Sequence, residues 1–287
     1  MNRHITVMLK ETIDALQVRK GGTYVDCTLG SGGHARAILQ NGGSLICLDK
    51  DAEACDSFFK SRDAEVHNFS FARIGEAVST RAVDGVLFDL GISQNQMEDS
   101  SRGFSFKLDG PIDMRMDCTK GKTALDVIRN YTLEELSFIL REYSDEKFHR
   151  RIASLIKGNV DHLKTSIQLA CLIEKNIGWK KKGKHPATKT FQAIRMAVND
   201  EMKELSIGMA EAFKILKPRG RLVIITFHAT EDRAVKKFMM SQVKGKNIAH
   251  FKALGRARWI SSLTASQDEL KLNTRASSAR LRCIEKL

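Results

Sequence analysis

The chain has 287 residues, 42% of them hydrophobic and 28% charged, and its 47 Lys and Arg against 34 Asp and Glu leave a net charge of +13. That balance excludes a disordered or collagen-like chain, and no apolar run approaches the ~20 residues a membrane helix needs. The amino-terminal MNRHITVMLKETIDAL mixes charges into its apolar residues instead of presenting a signal-peptide core, so a cytoplasmic protein is expected.

From Thr23 to Asp89 strand-like and helix-like segments alternate. TYVDCT, SLICLD, AEVHNF and DGVLFDL read as strands, and HARAILQN, AEACDSFFKS and ARIGEAVST as the helices between them. Short β-rich runs joined by helical ones imply a mostly parallel, doubly wound α/β sheet. The period then lapses from Leu90 to Asp117, a stretch rich in Asp, Ser and Gly that reads as a long functional loop, anchored by Phe104 and Phe106. Residues 123–178 are helical in pattern: Thr132 and Glu135 have capping-box spacing, with Leu136, Ile139 and Leu140 on one face. Residues 185–216 read as one long helix or two abutting ones, bounded by Pro186 and Lys217-Pro218-Arg219-Gly220. RLVIITF returns to strand, EDRAVKKFMM starts a helix, and ARLRCIEK alternates as a last strand. The expected organisation is a discontinuous core, 1–108 and 189–287, interrupted by an all-helical insertion at 109–188.

Cysteine and charge usage narrow the chemistry. The six cysteines are scattered, with no CxxC pair, HExxH or tight Cys/His cluster, so reduced thiols and no metal site are expected. From Arg233 to the end there are 13 basic and 3 acidic residues, and a second basic run comprises Lys180, Lys181, Lys182, Lys184 and Lys189. Two such runs favour a phosphate-bearing partner, because each cation near a phosphate releases a condensed counterion.

The strongest local motif is Asp26-Cys27-Thr28-Leu29-Gly30-Ser31-Gly32-Gly33-His34-Ala35, which follows the first strand and opens the first helix. Its glycines let the backbone turn and approach a ligand without Cβ clashes. Asp49 lies 19 residues after Gly30, at the end of the second strand, where a carboxylate can hydrogen-bond a ribose. Gly30-x-Gly32-x-x-Ala35 also fits a dinucleotide fingerprint, so an NAD-linked oxidoreductase stays in view. Asp26, however, suits an ammonium group better than a pyrophosphate, and together with Asp49 and Asp89 it favours S-adenosylmethionine (SAM). Phe69, after the third strand, is placed to stack on an adenine, and Gln96 to hydrogen-bond the cofactor.

HITVMLKE, YVDCTLGSGGH, DLGISQNQ, RGFSFKLDGPIDMRMD, HPATKTFQAIRMAVNDE, GRLVIITFHATEDRAVKKF and NTRASSARLR together run from His4 to Arg282. In these blocks the chain resembles the bacterial small-subunit ribosomal RNA (cytosine-N4)-methyltransferases, the RsmH or MraW family. The resemblance implies a Rossmann-like SAM-dependent methyltransferase core with a helical domain inserted after the fourth strand, the insertion taking part in RNA recognition. It implies SAM contacts at Gly32, Gly33, His34, Asp49, Phe69, Asp89 and Gln96, with Asp26 and Gly30 in support. The implied substrate is the exocyclic amine of a cytidine in the decoding region of 16S ribosomal RNA, within the small ribosomal subunit. Departures fall at Ala229 and Thr230, where the family has Ser-Leu, at Thr274, where it has Pro, and at Ser277, where it has Arg; none removes an implied SAM contact.

Methyl transfer to an amine needs proximity and alignment above all. A cytosine amine is a weak nucleophile, so an acceptor for its N–H is useful. Asp89 is the first candidate, with Ser93 and His228 behind it. The base must leave its stack to reach the methyl group. Arg102, Arg115, Lys189, Arg195 and Arg233 are the candidate phosphate contacts.

Overall fold

The computed structural model describes residues 5–59, 64–179 and 185–287. They form two compact units, one made of residues up to Gly91 together with Met202–Leu287, the other of Ile92–Glu201. The first unit opens with helix α1 (Leu9–Leu16) and then alternates: β1 (Thr23–Asp26), α2 (Gly33–Gln40), β2 (Ser44–Asp49), α3 (Ala52–Phe59), β3 (Ala64–Asn68), a 3-10 turn at Phe71–Arg73 running into α4 (Ile74–Val78), and β4 (Val83–Asp89). The second unit holds α5 (Gln94–Glu98), α6 (Ala124–Asn130), α7 (Leu133–Ser144), α8 (His149–Asn159), α9 (Ser166–Ile177) and α10 (Thr188–Val198). After it come α11 (Glu201–Ile215), β5 (Leu216–Thr226), α12 (Ala229–Lys244), β6 (Ala257–Thr264), α13 (Gln267–Leu272) and β7 (Arg280–Lys286).

The seven strands form one sheet in the order β3-β2-β1-β4-β5-β7-β6. The first five run parallel, and β7 is antiparallel to both of its neighbours. Alternate side chains go to opposite faces, as the two-residue period of a strand requires. Leu222 and Ile224 of β5 pack with α4, α11 and α12, whereas Val223 and Ile225 pack with α1, α2 and α3. Both faces are covered, which is why the central strands read as continuous apolar runs. This is the expected mostly parallel, doubly wound, Rossmann-like sheet.

Local chemistry sets the element ends. Asp200, in the left-handed region at φ +51°, separates α10 from α11, so residues 185–216 contain two helices. Lys217-Pro218-Arg219-Gly220 follows the end of α11 at Ile215, as expected, and is a break in register inside β5: the pairing with β4 skips from Leu216 to Arg221, with Arg219 at φ +65°. Thr132 and Glu135 form the expected capping box, each side chain accepting the other's backbone N–H at 3.1 and 2.8 Å.

The helical unit is wider than the 109–188 read from the sequence. Phe104, Ile112 and Met114 of the preceding loop, and Phe191, Ala193 and Ile194 of α10, are buried in the same core as Leu136, Ile139 and Ile152. The stretch 90–117 is therefore a packed loop carrying α5 and a 3-10 turn at Ser100–Arg102. No helix among the described residues is long and apolar enough to cross a membrane.

Candidate active site

In an open parallel sheet, ligands sit beyond the carboxyl ends of the strands where the strand order reverses, here between β1 and β4. Asp26 ends β1, Asp89 ends β4, and Asp49 ends the neighbouring β2. Short bonds fix all three. Asp26 Oδ1 accepts the Thr28 N–H at 3.1 Å, and Thr28 Oγ1 accepts the Asp89 N–H at 2.6 Å. Asp49 accepts the Gly30 N–H at 2.8 Å on one oxygen and the Asp51 N–H at 2.9 Å on the other. Asn68 of β3 braces this end by donating to the carbonyls of Asp49 and Lys50, both at 3.1 Å.

His34, in the first turn of α2, is 3% exposed, and its Nε2 stands 3.4 Å from Asp89 Oδ2. His34 Nδ1 and Asp89 Oδ1 are buried and have no hydrogen-bond partner among the described residues. Orphaned polar atoms are costly inside a protein and mark places where something else binds. Burial and the neighbouring carboxylates push Asp26 up to about 6, against the lowering effect of His34 and the Thr28 amide. Burial likewise carries Asp49 to about 6 despite the Asp51 and Gly30 amides. Burial alone would lower His34, but its bond to Asp89 and the charges of Asp89, Asp26 and Glu269 outweigh that and raise it.

The glycines also admit close protein neighbours to the loop. A Cβ on Gly32, which sits at φ +74°, would strike the Phe58 ring, and one on Gly33 would overlap Thr6. The two glycines thus admit protein neighbours, Phe58 of α3 and the amino-terminal strap, to the cofactor loop. The strap itself is pinned from the far end of the chain: Glu269 Oε1 accepts the Met8 N–H at 2.7 Å, and Asn273 donates to the Ile5 carbonyl at 3.0 Å. Gly33→Ala is expected to cost about 1–3 kcal/mol of stability through overpacking, and Thr6→Ala in that background should recover part of it. Urea unfolding of the single and double variants checks this, and equal costs in both would remove the steric explanation.

Phe69 lies just past β3, half-buried, with the Arg73 guanidinium 4.5 Å from its ring centroid. His228 caps α12: its Nδ1 accepts the Glu231 N–H at 3.4 Å, and its Nε2 is 2.9 Å from Glu231 Oε1. Glu231, 3% exposed, also accepts the Phe227 N–H at 3.1 Å. Sequence reasoning missed Glu231, although His-x-x-Glu at a strand-to-helix junction carries the spacing of a capping box. Thr230, one of the departures, is buried in the first turn of the same helix.

Arg233 lies on α12 of the core unit and donates to Thr230 Oγ1 at 3.4 Å, whereas the remaining candidates lie in the helical unit. Ser93 and Gln96 are the two halves of the capping box of α5, Ser93 Oγ accepting the Gln96 N–H at 3.2 Å and Gln96 Oε1 the Ser93 N–H at 3.1 Å. Arg102, 6% exposed, donates to the carbonyls of Arg115 and Met116 at 3.2 and 2.9 Å. Arg115 is paired with Asp113 through two bonds of 2.9 and 2.7 Å, and Arg195 with Glu201 through two of 2.8 Å. Lys189 donates to the Asp145 carbonyl at 2.5 Å. Residues 180–184 of the second basic run lie outside the described residues. Arg102→Ala should therefore cost about 2–3 kcal/mol of stability, the worth of buried charge-assisted bonds, read as a lower urea midpoint. A variant as stable as the parent would contradict that structural role.

Comparison with known proteins places these features. A profile described as the MraW methylase family matches residues 1–287. A protein of Methylococcus capsulatus named ribosomal RNA small subunit methyltransferase H is 42% identical, covering 97% of this chain and 99% of its own. One of the same name from Methylobacillus flagellatus is 38% identical, covering 100% of this chain and 95% of its own. The crystal structure of an rRNA methylase from Streptococcus thermophilus aligns over 99% of both chains at 11% identity, with a TM-score of 0.44. With the profile matched from end to end and relatives near 40% identity along nearly its whole length, the chain belongs to the MraW methylase family.

Proposed function

We propose that this protein is a SAM-dependent methyltransferase acting on the exocyclic N4 amine of a cytidine in the decoding region of 16S ribosomal RNA. The observation that carries the cofactor is the cluster of Asp26, Asp49 and Asp89 on three adjacent strand ends, with a buried and unpartnered Asp89 Oδ1 and His34 Nδ1 beside it. That donor set fits a ligand with positive charge and ribose hydroxyls. It disfavours an NAD-type pyrophosphate, which three carboxylates would repel. The substrate class follows from family membership and the relatives' name.

SAM, when bound, supplies an electrophilic methyl group with a good neutral leaving group. The chain's own residues do the rest. Asp49 receives ribose hydroxyls, Asp26 faces an ammonium group, the backbone at Gly30, Gly32 and Gly33 shapes the loop, and Phe69 offers an apolar face to adenine. Asp89 accepts an N–H of the target amine, drawing its nitrogen lone pair out of conjugation with the ring; the proton then leaves to solvent, so no strong base is required. His34 holds Asp89 from below. His228 and Ser93, engaged as helix caps, keep supporting roles. The helical unit contributes to recognition of the RNA, and the setting is the cytoplasm, where small ribosomal subunits are the substrate.

The test is transfer of labelled methyl from SAM to small subunits lacking the modification, followed by nucleoside analysis. N4-methylcytidine is the expected product. SAM binding without label on the subunit would refute the substrate, and no SAM binding at all would refute the cofactor.

A further inference from the structure

Resting on that reading of the substrate, we propose that the outer face of α12 and the turn after it form a phosphate-binding track, so that the core unit itself holds the ribosomal RNA backbone.

Residues 233–267 contain eight Lys and Arg and no Asp or Glu, and thus carry almost all of the core unit's excess charge, 28 basic against 19 acidic residues. The fold gathers these cations. α12 buries Ala234, Val235, Phe238, Met239 and Gln242 against the sheet. At 3.6 residues per turn the opposite stripe is Arg233, Lys236, Lys237 and Lys244, all exposed. The chain then turns at Gly245 and folds back. Gln242 holds the turn by donating to the Lys252 carbonyl and accepting the Leu254 N–H, both at 2.8 Å. Phe251 packs edge-on against Phe238 at 5.7 Å. Arg256 returns beside Gly245, its Nε 4.0 Å from where that glycine's Cβ would stand, so Lys244, Lys246 and Arg256 share one end of the helix.

Two of the eight are engaged, Arg233 donating to Thr230 Oγ1 at 3.4 Å and Arg258 pairing with Glu285 at 2.9 Å. Lys236, Lys237, Lys244, Lys246, Lys252 and Arg256 have no ion-pair partner among the described residues. The helical unit is the reverse case, with 19 basic against 15 acidic residues and Arg102, Arg115, Lys189 and Arg195 bound internally. The stripe sets four cations around a single half-exposed apolar residue, Met240, a balance that suits a polyphosphate chain rather than a lipid surface. Its position suits an RNA substrate too: α12 starts two residues beyond β5, the strand beside β4 and its Asp89, and runs about 24 Å from that edge at 1.5 Å per residue.

The experiment compares two full-length quadruple variants binding small ribosomal subunits that lack the modification, between about 50 and 300 mM salt. One carries Lys236→Gln, Lys237→Gln, Lys244→Gln and Lys246→Gln. The other removes equal charge from the helical unit through Lys107→Gln, Lys122→Gln, Lys147→Gln and Lys164→Gln. With each phosphate contact contributing about 0.7–0.9 to the slope of log affinity against log salt, the first variant should show a slope shallower by about 3 and at least roughly tenfold weaker binding near 0.15 M. The helical-unit variant should change far less, SAM affinity should be unchanged in both, and the Lys→Arg version of the α12 set should bind like the parent. Equal losses in the two variants, or none in the first, overturn the track. A parent protein that binds SAM but no small ribosomal subunit at any salt overturns the substrate reading, and the track with it.

Discussion

Asp89→Ala is expected to lower kcat for methyl transfer by roughly 10²–10³-fold, with KM for SAM changing much less. The loss corresponds to about 2.7–4 kcal/mol of transition-state stabilisation. Asp89 earns this weight by position: it ends β4 at the reversal of strand order, its N–H is held by Thr28 Oγ1, and its Oδ1 is buried with no partner. A carboxylate so fixed is preorganised for an N–H that arrives only with the target base. Asp49→Ala should give the opposite split, a large rise in KM for SAM with kcat at saturating SAM little changed. Both Asp49 oxygens hold loop amides, so removing the carboxylate strands the N–H groups of Gly30 and Asp51 and loosens the loop that shapes the cofactor end. Asp89→Asn separates charge from shape, because it keeps the volume and one acceptor oxygen. Steady-state kinetics on unmodified small subunits read all three variants. An Asp89→Ala enzyme within threefold of the parent in kcat would exclude the assigned role.

The carboxylates were legible in the sequence because each depends on local pattern alone: an apolar run that must be a buried strand, and an acid where that run stops beside a glycine turn. The sheet followed for the same reason. β6 escaped notice because it is an edge strand with a neighbour on one side only, and its ARWISSLT run, half-exposed or exposed beyond Ala257, lacks clean alternation. The fates of Arg102, Arg115 and Arg195 were illegible for a physical reason. An arginine in a distinctive block looks the same whether it meets a phosphate or a carbonyl, and only folding brings Arg102 to the carbonyls of Arg115 and Met116. Gly33 shows the limit most clearly. Its motif points to a ligand, but nothing local announces that the space on its Cβ side is filled by Thr6, 27 residues earlier, in a segment pinned by Glu269 and Asn273 from the opposite end of the chain.

Lowering the pH from 7 to 5 is expected to weaken SAM binding by up to about a hundredfold while stabilising the ligand-free protein. Asp26 and Asp49 both titrate near 6, raised by burial from the ordinary carboxylate range. The ammonium group needs ionised Asp26, and the ribose hydroxyls need ionised Asp49 as a double acceptor, so each group contributes up to about a tenfold loss over those two pH units. Folding stability runs the other way. A carboxyl whose folded pKa lies above its unfolded value stabilises the fold while protonated, and that contribution is lost as pH rises through about 6. His34, also raised, acts in the same direction, its contribution fading as pH climbs past its folded value. Carboxylates held low by hydrogen bonds, such as Asp117 at about 2, have the opposite dependence, but they change protonation well below this window. Between pH 7 and 5, affinity and stability should therefore move in opposite senses, a signature that simple acid unfolding cannot produce. Titration calorimetry with SAM at several pH values, beside urea unfolding of the free protein, reads both. Asp26→Asn should flatten each profile by about half, since one of the two titrating carboxyls is gone. Affinity that stays constant from pH 7 to 5 in the parent would mean that neither Asp26 nor Asp49 holds the cofactor as a carboxylate.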